Sequence, residues 1–503
     1  MHQAQGRVFA YRDELNTWLE QRRAGPRVPE VSDNVGETDI PSVAVLPFAF
    51  IGPEDKDAYL ADGFTEEIMS DLARLNKLRV ISRTSSMAFK NSGDNAVNLG
   101  RRLGVNYLLE GAVRSGPQKL RVSVNLIDAN RDQRIWGEKL DGKPDSIFDM
   151  QEEIARSVVK ALRIQLSPVE DRQLSERAID DLEAWRYAQQ ARQASLRWRK
   201  DSIDHSVALL NQSLSLVGDN LELLASLGRA WLQYREAGID AGPRPLEQAQ
   251  ACSIRIDAIN PGAISGLQLK AWIFYSQGNI REAVKILRTA LEKDPGNADT
   301  LNLLSNCYLI AGRVSQARPL IDQLLGVDPL TPLSQCMPGW ASVLDGDPGA
   351  ALAPYRKMFE MDPGNPMGRL FHLWVLVLNG RTNAALAINE GYSEKARHSL
   401  PGEIAALFAQ ALEKPDSSCY VPGDPVTPEQ CTSDVFPRLL AHVHALSGDE
   451  DGAVRWLRVA VERGFINYLY LAKHDHILRC LDSHDGFRQL LEDVRQRWES
   501  FDN

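Results

Sequence analysis

The stretch Gly278 to Gly312, "GNIREAVKILRTALEKDPGNADTLNLLSNCYLIAG", begins and ends on glycines 34 positions apart, and that interval recurs. Gly346 and Gly380 continue it; Pro261, Pro295, Pro329 and Pro363 share it, as do Ala249, Ala283, Ala317, Ala351 and Ala385. Gly448 and Ala453 return in the same phase two periods later. Three residue types in one fixed phase define a structural repeat. Each has a physical reason. The Gly suits the left-handed residue that ends a first helix. The Ala five positions on lets the second helix approach its partner closely. Asp-Pro or Asn-Pro then stops that second helix, and Asn297 and Asn365 are expected to cap the next one. The unit predicted is a helical hairpin.

A hairpin of this length with Ala and Pro so placed resembles the tetratricopeptide repeat. Tyr308 matches the family's aromatic position in the first helix, whereas Leu267 and Leu301 stand where the family prefers Trp. Looser hairpins precede, in "EAWRYAQQAR" with "SVALLNQSLSLV" and in "LLASLGRAWLQY" before an insertion, "REAGIDAGPR". The array is expected over residues 181–503, interrupted near Cys419 and ended by a capping segment. The resemblance implies a concave face, lined by the first helices, that binds a protein or peptide. In that register Trp272, Asn306, Trp340 and Trp374 form a column, with Asn302 one turn before Asn306 and Cys336 one turn before Trp340. These six are the expected partner-binding residues, since Trp often dominates interface energy; the alternative is that the Trp side chains fill gaps between hairpins. Met337, Met367 and Phe371 occupy positions where a basic carboxylate clamp would need polar groups, which disfavours a chaperone-tail ligand.

Ahead of the array the texture changes. "SVAVLPFAF" reads as a strand, "DAYLADGFTEEIMSDLARL" as a helix with Leu60, Phe64, Ile68, Leu72 and Leu75 on one stripe, and "RVISRTS" as a second strand. A short helix stopped by Gly104 follows. "NYLLEGAVRSG", "KLRVSVNLIDA" and "QRIWGEKLD" then alternate and are joined by turn signals, which predicts an antiparallel meander. "SIFDMQEEIARSVVKALRIQL" closes the block as a helix, giving the order β-α-β-α-β-β-β-α. The expected fold class is thus an α/β domain with a mixed sheet, followed by an all-α solenoid. "SVAVLPF", "ADGFTEEIMSDLARLNKLRVISRTSSMAFK", "LGRRLGVNYLLEGAVR" and "IFDMQEEIA" together resemble the TolB-like amino-terminal domain that precedes tetratricopeptide repeats in bacterial adenylate-cyclase-like and CadC-like signalling proteins. The resemblance covers residues 41–167 and implies a non-catalytic module.

The first residues raise a separate question. "GRVFAYRDELNTWLEQRR", Gly6 to Arg23, reads as a strand and an amphipathic helix, followed over 24–40 by a Pro-, Gly- and acid-rich linker. "RVFAYRDELNTWL" is similar to the last strand and helix of an excisionase-like or MerR-like winged helix. That implies DNA as a partner only if a recognition helix lies upstream of Met1; a hairpin packed on the repeats is the alternative.

The chain's 503 residues, with 44% hydrophobic and 25% charged side chains, fit a folded protein of about three domains. A net charge of −10 argues against phosphate-driven binding to nucleic acid. Apolar runs such as "LWVLVL" are far too short to span a membrane, so the expected compartment is the cytoplasm, or the periplasm if a targeting segment precedes. Six cysteines lie scattered without a CxxC pair. Cys419 and Cys431 bracket a Pro-rich loop and are expected to stay reduced in the cytoplasm. "GRRLG" lacks the Gly-Lys-Ser/Thr of a phosphate loop, and Asp62, Glu66 and Glu67 suit the positive end of a helix better than acid–base chemistry. His474, His476, Cys480 and His484 have spacings that weakly suggest zinc. No cofactor is expected. The sequence therefore points to a scaffold without catalysis, with two alternatives: a transcription regulator truncated of its DNA-binding end, or the accessory half of a cyclase-type signalling protein.

Overall fold

The computed structural model describes residues 2–4, 7–9, 40–52, 59–90, 94–116, 119–143, 146–196, 199–413 and 423–502. The chain divides into two units, Met1–Ile40 and Pro41–Asn503. In the first, β1 (His2–Ala4) pairs antiparallel with β2 (Arg7–Phe9), with Gln3 opposite Val8. The helix expected after Phe9 and the linker lie outside the described residues, apart from Ile40.

The second unit begins with a mixed sheet. Its strands are β3 (Ser42–Val45), β4 (Ala49–Ile51), β5 (Arg79–Val80), β6 (Tyr107–Ser115), β7 (Leu120–Asp128) and β8 (Gln133–Gly142). They run in the order β5-β3-β6-β7-β8, with β4 also on β6. β3 is parallel to both its neighbours, and β6, β7 and β8 form the antiparallel meander. "SVAVLPFAF" makes two strands rather than one. Both pair with β6, and the break falls around Pro47, which has no N–H to give a ladder. Helices α1 (Tyr59–Ala73), α2 (Arg83–Met87), α3 (Ala96–Leu103) and α4 (Ile147–Ala161) cover the sheet, and the short α2 was not foreseen. Phe64, Ile68 and Leu72 of α1 and Ile154 and Val158 of α4 bury one face against Val122, Val124 and Leu126. Leu99 and Leu103 of α3 cover Ala44 and Leu108 on the other. Asn95 caps α3, and Gly104, at φ +65°, ends it. After a one-turn helix, α5 (Pro168–Gln173), the chain enters the repeats.

These are antiparallel helix pairs: α6 (Leu182–Ser195) with α7 (Lys200–Val217), α8 (Leu221–Glu236) with α9 (Pro243–Ile259), and α10 (Ile264–Ser276) with α11 (Ile280–Lys293). Then come α12 (Ala298–Ile310) with α13 (Val314–Val327), α14 (Pro332–Leu344) with α15 (Leu352–Met361), and α16 (Pro366–Leu378) with α17 (Thr382–Glu390). The one-turn α18 (Glu394–Arg397) leads to α19 (Leu400–Glu413), and α20 (Val435–Leu446) pairs with α21 (Glu450–Glu462) before the last helix, α22 (Asp485–Glu499). The periodic residues sit as their chemistry requires. Ala249, Ala283, Ala317, Ala351, Ala385 and Ala453 are all fully buried. Asn297 and Asn365 accept from backbone N–H groups at the starts of α12 and α16.

Two of the periodic glycines differ in an instructive way. Gly312 and Gly380 both have positive φ, +71° and +62°. A Cβ on Gly380 would meet nothing within 4 Å, whereas one on Gly312 would lie 2.8 Å from Asn467 Oδ1 and from Trp498 Nε1. The reason is that the C-terminal segment folds back on the middle of the array. Ile466 N–H donates to Ile310 O at 3.0 Å, and Arg313 Nε donates to Asp502 at 2.7 Å while its guanidinium stacks 4.8 Å above Trp498. Gly380→Ala is therefore expected to cost only the left-handed backbone term of ~1–2 kcal/mol. Gly312→Ala should cost a further ~1–3 kcal/mol of overpacking, a difference that paired denaturant titrations would resolve.

The α/β domain is tied to the array at two places. At the first, Trp185 of α6 is buried against α1 and α4, and its Nε1 donates to Glu67 at 3.1 Å. Gly63 makes this approach possible, since a Cβ there would lie 2.8 Å from Gln189. Burial pushes the neighbouring Asp71 carboxyl up to about 7; Arg74 opposes the shift, and Glu67 and Glu152 add to it. The folded chain thus holds a proton that the unfolded chain, with an ordinary value of 3.8, has released. Stability from this group is full below pH ~4 and falls as pH rises through ~7. Asp71→Asn should flatten that part of a stability–pH curve measured by denaturation; an unchanged slope would remove Asp71 as its cause.

At the second tie Asp328, between α13 and α14, gathers hydroxyls from both sides. Ser85 Oγ (2.8 Å), Thr331 Oγ1 (2.7 Å) and Ser82 Oγ donate to Oδ1, and Ser334 Oγ (2.6 Å) donates to Oδ2. Ser82 N–H donates to Val327 O at 2.7 Å, and Leu330 N–H to Ser85 Oγ at 2.9 Å. A carboxylate this buried is held because each oxygen accepts charge-assisted bonds.

Candidate partner-binding face

The expected column divides in two. Cys336, Trp340 and Trp374 are 4%, 6% and 2% exposed. Trp340 and Trp374 pack edge to face at 5.7 Å, and Trp340 also meets Tyr470 of the C-terminal segment at 6.5 Å. Trp374 Nε1 donates to His442 Nδ1 at 3.0 Å, over a stacked ring pair. Because an indole N–H only donates, Nδ1 is the accepting nitrogen and the proton sits on Nε2, which faces Asp475 Oδ2 at 2.7 Å. Trp340, Trp374 and Cys336 thus face the chain's own α20 and C-terminal segment. Burial pushes the Cys336 thiol up to about 12, so it is not a ready nucleophile.

Trp272, Asn302 and Asn306 are only half-buried. The Arg229 guanidinium lies 4.8 Å over the Trp272 ring, whose edge meets Tyr275 at 5.6 Å. Asn306 Nδ2 donates to Tyr275 Oη at 3.2 Å. These elements, from α8, α10 and α12, present an aromatic ring held rigid by a cation and flanked by amides.

His442 was missed by reading the sequence, although the signal was there. Continuing the interval of 34 from Trp374 reaches Phe408 and then His442, both buried. The column therefore runs on through α19 and α20, and His442 closes it on Trp374.

The weak zinc candidates are dispersed among structural tasks. His474 ends a π-helical turn and lies against Gly346, and Cys480 is exposed in a 3-10 turn, its Sγ near Ile477 O. His484 caps α22 and meets Asp451 at 3.0 Å. Among the described residues no group of three His, Cys, Asp or Glu side chains is placed to hold a metal ion. Cys431 is a buried thiol; Cys419 lies outside the described residues. No helix of the described residues is long and apolar enough to cross a membrane.

Comparison with known proteins matches this architecture in two segments. Residues 274–335 match the tetratricopeptide-repeat family. Residues 38–157 match the family model described as the second domain of HilA/YgeH-like transcriptional regulators. A curated relative, "Putative adenylate cyclase 3" of Rhizobium meliloti (strain 1021), is 35% identical over 176 residues. The match spans 35% of this chain and 30% of that relative. A thermophilic tetratricopeptide-repeat protein of Thermus thermophilus aligns over 38% of this chain and 100% of its own, at 20% identity and a TM-score of 0.33. A tetratricopeptide-repeat protein of Parabacteroides merdae ATCC 43184 covers 62% of this chain and 99% of its own, at 13% identity and the same TM-score, 0.33.

Proposed function

We propose that the chain is a non-catalytic interaction scaffold in bacterial signalling, holding a protein partner on the first-helix face around Trp272, Asn302 and Asn306. The observation that carries this is the partly exposed Trp272 ring, fixed between Arg229 and Tyr275, whereas Trp340 and Trp374 of the same column are covered by the chain itself. A preordered aromatic anchor beside hydrogen-bonding amides suits an extended peptide, because little entropy remains to be lost on binding. Cys336, Trp340 and Trp374, buried in the chain's own core, do not meet the partner in this reading. The domain over 41–167, read as TolB-like, offers a second surface on the same body.

A photo-crosslinking amino acid placed at Asn302 in living cells tests this. A discrete adduct is expected there, lost on Trp272→Ala and absent when the crosslinker is moved to Ile254, which is 70% exposed on α9. An adduct indifferent to Trp272, or equal at both positions, would overturn the site.

The match over 38–157 favours a second reading, in which these domains are the regulatory half of a transcription regulator and Gly6–Arg23 belongs to an excisionase-like or MerR-like winged helix. The relative named as a cyclase favours a third, an accessory half of a cyclase-type signalling protein. The intact mass and N-terminal peptide of the natively expressed protein separate them. An upstream extension of winged-helix size supports the second, an upstream catalytic domain the third, and a start at Met1 the scaffold alone.

A further inference from the structure

Between α14, α16 and α20 the packing leaves a cavity of about 80 Å³, a little under three water volumes of ~30 Å³ each. Met337, Trp340, Phe371 and Trp374 form apolar walls, and Leu333, 51% exposed, stands at the rim. One wall residue is of a different kind. Arg438 of α20 is 8% exposed, with its guanidinium 4.4 Å from the Trp340 ring centroid and 4.8 Å from that of Phe465. Its Nε donates to Asp434 Oδ2 at 2.7 Å. Its two terminal nitrogens, Trp340 Nε1 and the hydroxyl of Tyr355, which also lines the cavity, are not among the fully enclosed polar atoms of the described residues that lack a partner, and they border open space.

Donors that border a small cavity are met by water until a ligand acceptor displaces it. Here the groups are donors, set in an aromatic wall, with room beside them for a body of only a few heavy atoms. A cation is disfavoured by the guanidinium. A carboxylate satisfies it, because its two oxygens match the two parallel N–H directions of the fork. Asp434 already offsets part of the Arg438 charge, so recognition rests on this geometry more than on net attraction. We propose that the cavity binds a short-chain aliphatic monocarboxylate, its alkyl group between Trp340, Phe371 and Trp374 and its carboxylate on the terminal nitrogens of Arg438. Asn306 borders both this cavity and the proposed docking face, but Trp272 and Asn302 do not line the cavity, so failure of carboxylate binding leaves the crosslinking test at Asn302 to stand on its own.

Titration of the full chain with acetate and with its neutral isostere acetamide, by calorimetry and tryptophan fluorescence, tests the assignment. One-to-one saturable binding of the acid is expected, about tenfold or more tighter than the amide, since only the charged ligand pairs with the fork. Two variants follow. Asp434→Asn with Arg438→Gln removes the guanidinium without stranding a carboxylate, and should weaken the acid to the level of the amide. Met337→Phe fills the space with Arg438 intact, and should abolish both. If either variant fails to fold, the acid-to-amide ratio on the unaltered chain still decides. Equal affinity for the two ligands, or no saturable binding of acetate, overturns the proposal.

Discussion

Trp374→Ala is expected to destabilise the chain by about 3–5 kcal/mol, the range for truncating a buried Trp. Two losses combine. The ring is 2% exposed and packs on Trp340, Tyr355 and His442, so its removal opens a cavity in the middle of the array. Its N–H is also the donor to His442 Nδ1, which would be left buried without a partner. Trp374→Phe refills most of the volume and should recover the larger share. Trp272→Ala, by contrast, should cost less, about 1–3 kcal/mol, because that ring is only partly buried. Denaturant titrations of the three variants check the ordering. A Trp374→Ala midpoint equal to that of the unaltered chain would mean that the column is an open groove and not a closed core.

Asp328→Ala should be comparably severe, about 3–5 kcal/mol, as when one partner of a buried charged network is removed. Four hydroxyls from Ser82, Ser85, Thr331 and Ser334 would lose their common acceptor. The effect should also be topological. Ser82 and Ser85 belong to the α/β domain and Asp328 to the array, so the variant is expected to replace one cooperative transition by two. Asp328→Asn keeps one acceptor oxygen and should retain part of the coupling. A single, unshifted transition in Asp328→Ala would show that the first tie, at Trp185 and Glu67, suffices.

Much of this was legible in the sequence because it is local or periodic. The 34-residue interval gave the hairpins, their left-handed glycines and the buried alanines, since each depends only on neighbours one turn or one helix away. The meander followed from alternation and turn residues. The column was legible as far as Trp374, but not its burial. Whether a first-helix face stays open depends on how tightly successive hairpins wind, and the period carries no information about pitch. His442 meets Trp374 across 68 positions, and Ile466 meets Ile310 across a still longer separation. Asp328 illustrates the same limit. In "GVDPLTP" it reads as a helix stop before proline, and its second role depends on two serines 246 and 243 positions earlier. The strand broken at Pro47 was legible in principle, since the missing N–H was visible, but the apolar run around it argued for continuity.

The α/β domain and the array form one body, joined at Asp328 and at Trp185, whose column is closed on itself at Trp340 and Trp374. Native-state hydrogen exchange of the full chain, read by mass spectrometry at the amides of Ser82, Leu330 and Ile466, tests it directly. Each of these N–H groups bonds across a long-range junction and lies outside regular helix or strand. Exchange of all three only through global unfolding is the predicted result. Exchange at the rate of exposed loops, with the helices still protected, would contradict it.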